Sequence, residues 1–200
     1  LIVGGANGIG LSIATHIAQR DDYDRVYILD KSAIESRYHN EKFVHHTFDL
    51  LSEDYSILNK FEDIDTLMIT AGFGRLAHFA DVDEQYIIDS FGVNTTAVIR
   101  IIHHFYYKLQ SSKDFYCGVM GSISGFISSP LFAVYGASKA ALKIFIESVN
   151  VELEMTGSKN RILNISPGSI RGTSFYNGAT DLSLTSAIAS DIIEHLYAKD

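Results

Sequence analysis

The chain has 200 residues, 46% hydrophobic and 20% charged, a composition that excludes disorder and suits one domain with a single sizeable core. A net charge of -8 without a local basic patch excludes nucleic acid as the expected partner. Cys117 is the only cysteine and no apolar stretch reaches membrane-spanning length, so the expectation is no internal disulfide, no membrane, and a reducing compartment, the cytoplasm.

In chain order, strand-length apolar runs occupy 1–3, 25–30, 42–49, 65–72, 115–122 and 161–168, each reading as a strand with two buried faces. Between them the spacing predicts helices over 9–20, roughly 52–60, 84–110 and 134–155, with a last one over 185–198. This unbroken alternation implies right-handed crossovers and a doubly wound, mostly parallel α/β sheet with helices on both faces. Pro130 and Pro167 are the only prolines and no linker or repeat is visible, so residues 1–200 read as a single domain.

The first strand runs into Gly4, Gly8 and Gly10. Glycine weakens helices, so its density just before one implies a need for bare backbone. In such sheets the first strand-to-helix turn is the commonest phosphate site: Gly4 allows a tight turn, Gly8 a close approach to a pyrophosphate, and Gly10 close packing of helix on strand. The spacing is G-x-x-x-G-x-G rather than G-x-G-x-x-G, and the bland alternative is a plain strand-to-helix turn. Asp30 ends the second strand, twenty residues after Gly10, where a carboxylate either accepts from ribose hydroxyls and repels a 2'-phosphate, favouring NAD over NADP, or caps the next segment. Lys31 beside it leaves room for NADP. Asp49 either accepts from an adenine amino group or caps a helix beginning near Ser52.

Tyr135 and Lys139 stand four apart at the start of a predicted helix and so share one face. A nearby ammonium favours the phenolate over the phenol, which makes the pair able to exchange a proton with a substrate hydroxyl or carbonyl. Tyr27 and Lys31 have the same spacing, but along a strand, where four residues span roughly 13 Å. Ser122 ends the strand before Tyr135, at the sheet edge where ligands bind.

Taken in order, Gly4, Gly8 and Gly10, Asp30, Asn94 in FGVNTTA, Ser122, Tyr135 with Lys139, and Pro167-Gly168 resemble the short-chain dehydrogenase/reductase family along almost the whole chain. The resemblance implies a Rossmann fold, a nicotinamide cofactor, an alcohol or carbonyl substrate and a homodimer or homotetramer. It implies Tyr135 as general acid/base, Lys139 lowering its pKa and holding the nicotinamide ribose, Ser122 polarising the substrate oxygen, and Asn94 holding a water in the proton relay. The implied cofactor residues are Gly4, Asn7, Gly8, Ile9, Gly10, Asp30, Asp49, Leu50, Ala71, Gly72, Tyr135, Lys139, Pro167, Gly168, Ile170 and Thr173. Two positions depart from the family: Val3 replaces its usual Thr, and Asn-Asn-Ala-Gly reads Ile69-Thr70-Ala71-Gly72, so two side chains that tie the cofactor loops are expected to be missing. The turn after Pro167 is one residue longer than usual before Thr173. The family's seventh strand should follow Asp200, and Leu1 already lies in an apolar run, so a longer parent chain is expected.

Other features take plainer readings. The adjacent pairs His45-His46 and His103-His104 cannot place both rings on one face, so no metal is expected. Cys117 reads as a small core residue. Phe73, Phe126, Phe132, Phe175 and Tyr176 either line an apolar substrate pocket or belong to core and interface. Ile99, Ile102, Phe105, Phe145 and Val149 suggest helices buried on two faces, one of them against a second subunit. Besides an NAD-dependent alcohol dehydrogenase or carbonyl reductase, the residues admit a non-catalytic dinucleotide-binding redox sensor, or an epimerase or dehydratase with tightly held NAD. Substrate identity is expected to reside in the loops after residues 72, 122 and 168.

Overall fold

The structure, a computed structural model, describes residues 1–173, 175 and 179–199. Six parallel strands, β1 (Ile2–Val3), β2 (Val26–Asp30), β3 (Phe43–Thr47), β4 (Thr66–Ile69), β5 (Tyr116–Met120) and β6 (Ile162–Ile165), form one sheet in the order β3-β2-β1-β4-β5-β6. Every neighbouring pair is parallel, so the chain must cross over the sheet between strands, and it does so through α1 (Gly8–Ala18), α2 (Glu84–Phe91), α3 (Ala97–Leu109) and α4 (Ala133–Met155). Helix α5 (Leu182–Ala198) follows β6.

Because successive strand side chains point to opposite faces, each apolar strand supplies two cores. Val3, Leu29, Leu67, Ile69, Cys117 and Val119 meet Ile101, Phe105, Leu142 and Ile146 of α3 and α4 on one face. Ile2, Ile28, Met68 and Met120 meet Ile13, Ile17, Ala189 and Ile192 of α1 and α5 on the other. The central strand β4 is buried throughout, as its reading requires, whereas β3 is only half-buried, because it forms the sheet edge.

Two helix expectations need correction. The segment expected as helix over 52–60 is a tight three-residue-per-turn helix at Ser56–Phe61. The Asp54 carboxylate accepts from both the backbone N–H and the hydroxyl of Ser56, and the buried side chains Leu58 and Phe61 are three apart, which matches that tighter period. The expected continuous helix over 84–110 is interrupted by a widened turn of π type at Gly92–Thr96. Asn94 and Thr95 in that turn bond to Ser138 of α4, through Asn94 Nδ2 to Ser138 Oγ (3.1 Å) and Thr95 Oγ1 to the Ser138 carbonyl (2.8 Å). Such turns occur often at functional sites.

The residues named for a second buried face also divide differently. Ile102, Phe105 and Val149 lie in this chain's own core, and Ile99 and Phe145 are half-buried. The large apolar side chains α4 leaves exposed are Ile144, Val151 and Met155.

Candidate active site

Among the described residues, the cleft at the carboxyl ends of β1, β4 and β5 holds two adjoining cavities. One, of about 350 Å³, is lined by Asn7, Gly8, Ile9, Gly10, Ser122, Tyr135, Pro167, Gly168, Ile170 and Thr173; the other, of about 240 Å³, by Asp30, Asp49, Leu50 and Ala71. Both include Gly4, Asn7, Thr70 and Gly72, so they meet over the glycine loop.

The loop answers why glycine precedes the helix. Gly4 has φ +85°, and a Cβ there would collide with the backbone of Ala71. A Cβ on Gly10 would collide with the Gly4 carbonyl oxygen and with Thr70 Oγ1. These contacts explain both the bare backbone and a role that the sequence reading missed. Thr70 Oγ1 donates to the Gly4 carbonyl (2.9 Å) and lies 3.2 Å from that of Val3. The loop tie expected to be missing is therefore supplied from β4's end by a threonine hydroxyl; the signal was the polar residue directly before Ala71-Gly72.

Asp30 closes the other side of the loop. One carboxylate oxygen accepts from the Ala6 N–H (3.0 Å) and the other from the Ser32 N–H (2.9 Å), so it organises both turns flanking the smaller cavity. Asp49 accepts from the Leu51 N–H (2.9 Å). It therefore shapes its own turn and caps no helix near Ser52, while still lining the cavity.

Tyr135 and Lys139 share α4, whose first turns face the larger cavity. The Tyr135 ring packs edge-on against Phe175 and tilted against Phe132, with centroids 5.2 and 5.5 Å apart. Gly74 is close enough that a Cβ there would press on the Tyr135 ring at 2.6 Å. Ser122 Oγ accepts from the Ser124 N–H (3.2 Å), a bond that does not use the hydroxyl's own proton.

Lys139 and Asn94 lie behind the cavity wall rather than in it. Lys139 is 3% exposed, and its Nζ donates to the Met120 carbonyl at 2.8 Å. Burial pushes its ammonium down to about 8, because a charged amine loses its hydration there. Asn94 Oδ1 accepts from the Phe73 N–H (3.0 Å), and Nδ2 donates to the Phe73 carbonyl (2.9 Å) and to Ser138. Its side chain therefore clamps the loop after β4 and has both N–H donors engaged. Gly72 separates these two groups from the cleft: a Cβ on it would stand 3.1 Å from Asn94 Oδ1 and 3.3 Å from Lys139 Nζ.

Thr173 meets the glycine loop despite the longer turn, with its side chain 3.2 Å from where a Gly8 Cβ would be. Phe132 and Phe175 line the larger cavity and Phe73 the smaller, whereas Phe126 is exposed beside an outer groove. Tyr176 lies outside the described residues. His46 and His104 pack edge-on against Phe61 and Phe105. The Cys117 thiol is buried and pushed up to about 12, so it acts as a core side chain.

The parallel sheet of this order with a glycine turn after β1 defines a nucleotide-binding Rossmann-like fold. The family profile for short chain dehydrogenases matches residues 1–181, and the chain belongs to that family of oxidoreductases. Among its relatives is an uncharacterized oxidoreductase of Saccharomyces cerevisiae, 28% identical over 88% of this chain and 56% of the relative. An uncharacterized short-chain type dehydrogenase/reductase of Sinorhizobium fredii is 28% identical over 90% of this chain and 72% of its own. The chain thus spans little more than half of the yeast relative. In fold it is similar to a short-chain dehydrogenase from Sphingobium yanoikuyae in complex with NADPH, with a TM-score of 0.82 at 20% identity over 100% of this chain and 84% of that one. An alcohol dehydrogenase from Thermococcus sibiricus complexed with 5-hydroxy-NADP gives 0.79 at 19% identity, covering 96% and 89%. None of the helices among the described residues is long and apolar enough to cross a membrane.

Proposed function

We propose that residues 1–200 form one domain carrying both a cofactor site and a catalytic site, and that it interconverts an alcohol and a carbonyl compound with NAD as the favoured cofactor. The observation that carries this reading is that Ser122 and Tyr135 border one cavity, continuous with the glycine loop, with the Lys139 ammonium directly beneath. The residues fit a dinucleotide: Gly4, Gly8 and Gly10 line the larger cavity with bare backbone, and the α1 N-terminus behind them favours negative charge. Gly4, Asn7, Gly8, Ile9 and Gly10 would hold the pyrophosphate, Asp30, Asp49, Leu50 and Ala71 the adenosine half, and Gly72, Pro167, Gly168, Ile170 and Thr173 the nicotinamide half.

A bound nicotinamide supplies hydride exchange; the chain supplies the proton chemistry. Ser122 donates a hydrogen bond to the substrate oxygen and orients it, keeping its own proton. Tyr135 gives its phenolic proton to that oxygen in reduction and, as phenolate, takes it back in oxidation. The Lys139 charge one helical turn away favours the phenolate, and its Nζ would reach the ribose only past the bare backbone of Gly72, which stands between it and the cleft. Asn94, with its N–H donors committed, serves the relay by fixing the backbone on which a water rests. The NAD preference rests on Asp30, since a carboxylate at the ribose repels a 2'-phosphate; the similar structures named above hold NADP forms.

The same reading includes a homodimer or homotetramer. Ala141, Ile144, Ser148, Val151 and Met155 form an exposed row at three- and four-residue spacing along α4, the pattern of a helix seeking a second helix. Light scattering across a hundredfold dilution tests this, and a concentration-independent monomer mass refutes it. The reducing cytoplasm remains the proposed location, on the lone buried thiol of Cys117.

The test of the central reading titrates the protein with NADH and NADPH by fluorescence, then follows nicotinamide absorbance with alcohols and ketones. Tyr135→Phe is expected to abolish turnover while leaving cofactor binding nearly unchanged. Residual turnover near the parent level removes Tyr135 from its role, and cofactor binding without any turnover favours the redox-sensing regulator.

A further inference from the structure

Resting on the oxidoreductase reading, we infer that the substrate is an uncharged carbonyl or secondary alcohol carrying a bulky apolar, preferably aromatic, group, and that Ile127 sets this selectivity. The larger cavity extends from Ser122 and Tyr135 to a wall made by Ile123, Ile127, Phe132 and Phe175. Among its described lining residues none carries a charge. The pattern extends through the sequence: residues 115–138, which supply most of that wall, contain no Asp, Glu, Lys, Arg or His, and neither do 162–170 or 173–180.

Three cations on neighbouring elements are engaged elsewhere, and Arg171, between the lining residues Ile170 and Thr173, is exposed and is not among the described residues that line the cavity. Lys139 is buried and bonded to the Met120 carbonyl. Arg75, on the loop after β4, bonds to Asp83 (3.3 Å) and lies 4.4 Å over the Tyr86 ring. Lys143, one turn beyond Lys139, pairs with Glu147 (2.7 Å) and sits 4.9 Å from the Phe126 ring. A carboxylate or phosphate held against this wall would thus be desolvated by isoleucine and phenylalanine with no charged group among the described lining residues, which is strongly unfavourable.

The wall is also held in place for recognition. Leu131, next to Phe132, adopts φ +67°, a left-handed conformation that strains a non-glycine residue and persists only where its surroundings hold it. The Leu131 carbonyl accepts from the Ala77 N–H at 3.1 Å, which ties the wall to the loop after β4. Ile127 is 59% exposed and also borders an outer groove of about 420 Å³, so it forms a partition at the mouth whose replacement leaves the core untouched.

The experiment measures, by calorimetry on the intact chain with NAD present, binding of 2-acetylnaphthalene and of its charged counterpart 6-acetyl-2-naphthoate, and separately their reduction with NADH as the hydride donor. The neutral ketone is expected to bind roughly 30-fold or more tightly. Ile127→Lys, placed at an exposed position, is expected to narrow or reverse that ratio by roughly tenfold, because it places an ammonium at the mouth. Equal or tighter binding of the naphthoate to the parent protein, or binding of neither ketone, overturns the inference. Selective binding of the neutral ketone with no turnover leaves the pocket assignment standing and refutes the catalytic reading instead.

Discussion

The Thr70 hydroxyl donates to the Gly4 carbonyl oxygen at 2.9 Å across sixty-six residues of sequence. This bond joins the ends of β1 and β4 at the point where the two cavities meet, so a single side chain on one wall ties the backbone of the other. Replacing Thr70 with Val keeps the shape and removes the donor. The expected result is a loss of about 1 kcal/mol in cofactor binding, roughly a fivefold weaker dissociation constant, with kcat little changed, read by NADH fluorescence titration.

Gly10→Ala tests the same junction by crowding it. The added methyl collides with the Gly4 carbonyl and with Thr70 Oγ1, one of them backbone that cannot rotate away. Destabilisation of about 1–3 kcal/mol is expected, seen as a lower urea midpoint together with loss of cofactor binding. Gly168→Ala is the control, since a Cβ there meets nothing within 4 Å, and its midpoint should stay within error of the parent.

On the proposed reading, Asp30 carries the choice between NAD and NADP. Asp30→Ala removes the ribose acceptor and also the acceptors for the Ala6 and Ser32 N–H groups. NADH affinity is expected to fall about tenfold, the effect of losing a charged hydrogen bond. NADPH affinity should fall less, because the repulsion of its 2'-phosphate goes as well. The measurement is the ratio of the two dissociation constants at low ionic strength, and an unchanged ratio removes Asp30 from cofactor selection.

Lys139 predicts a pH signature. Its ammonium is pushed down by burial from 10.5 to about 8. Between those two values the unfolded chain binds the proton that the folded chain has released, so this residue's contribution to stability rises with pH across that window and is most unfavourable below about 8. Relative to Lys139→Met, the parent protein should gain about 3 kcal/mol in unfolding free energy from pH 7.5 to 10.5, measured by urea denaturation. A difference that stays flat with pH contradicts a Lys139 ammonium pushed down by burial.

Much of this protein was legible in its sequence, for definite physical reasons. Alternating apolar runs and helical periods determine a parallel α/β sheet because each pattern can bury its apolar atoms in only one kind of element. Gly4 and Gly10 were readable because only glycine survives a positive φ or a sub-van der Waals approach of backbone. Tyr135 and Lys139 were readable because four residues on a helix bring them to one face. The failures have equally definite causes. Thr70 looked like a lost tie because its partner is the carbonyl of Gly4, and a backbone acceptor leaves no mark in a sequence. The π turn at Gly92–Thr96 arises from bonds between Asn94, Thr95 and Ser138, across more than forty residues, which no local pattern encodes. Placing Lys139 and Asn94 behind Gly72, and separating core residues such as Val149 from the exposed row at Ile144, Val151 and Met155, was likewise decided only in three dimensions. Periodicity determines which residues can share a face, but only the packing of distant segments determines what each face meets.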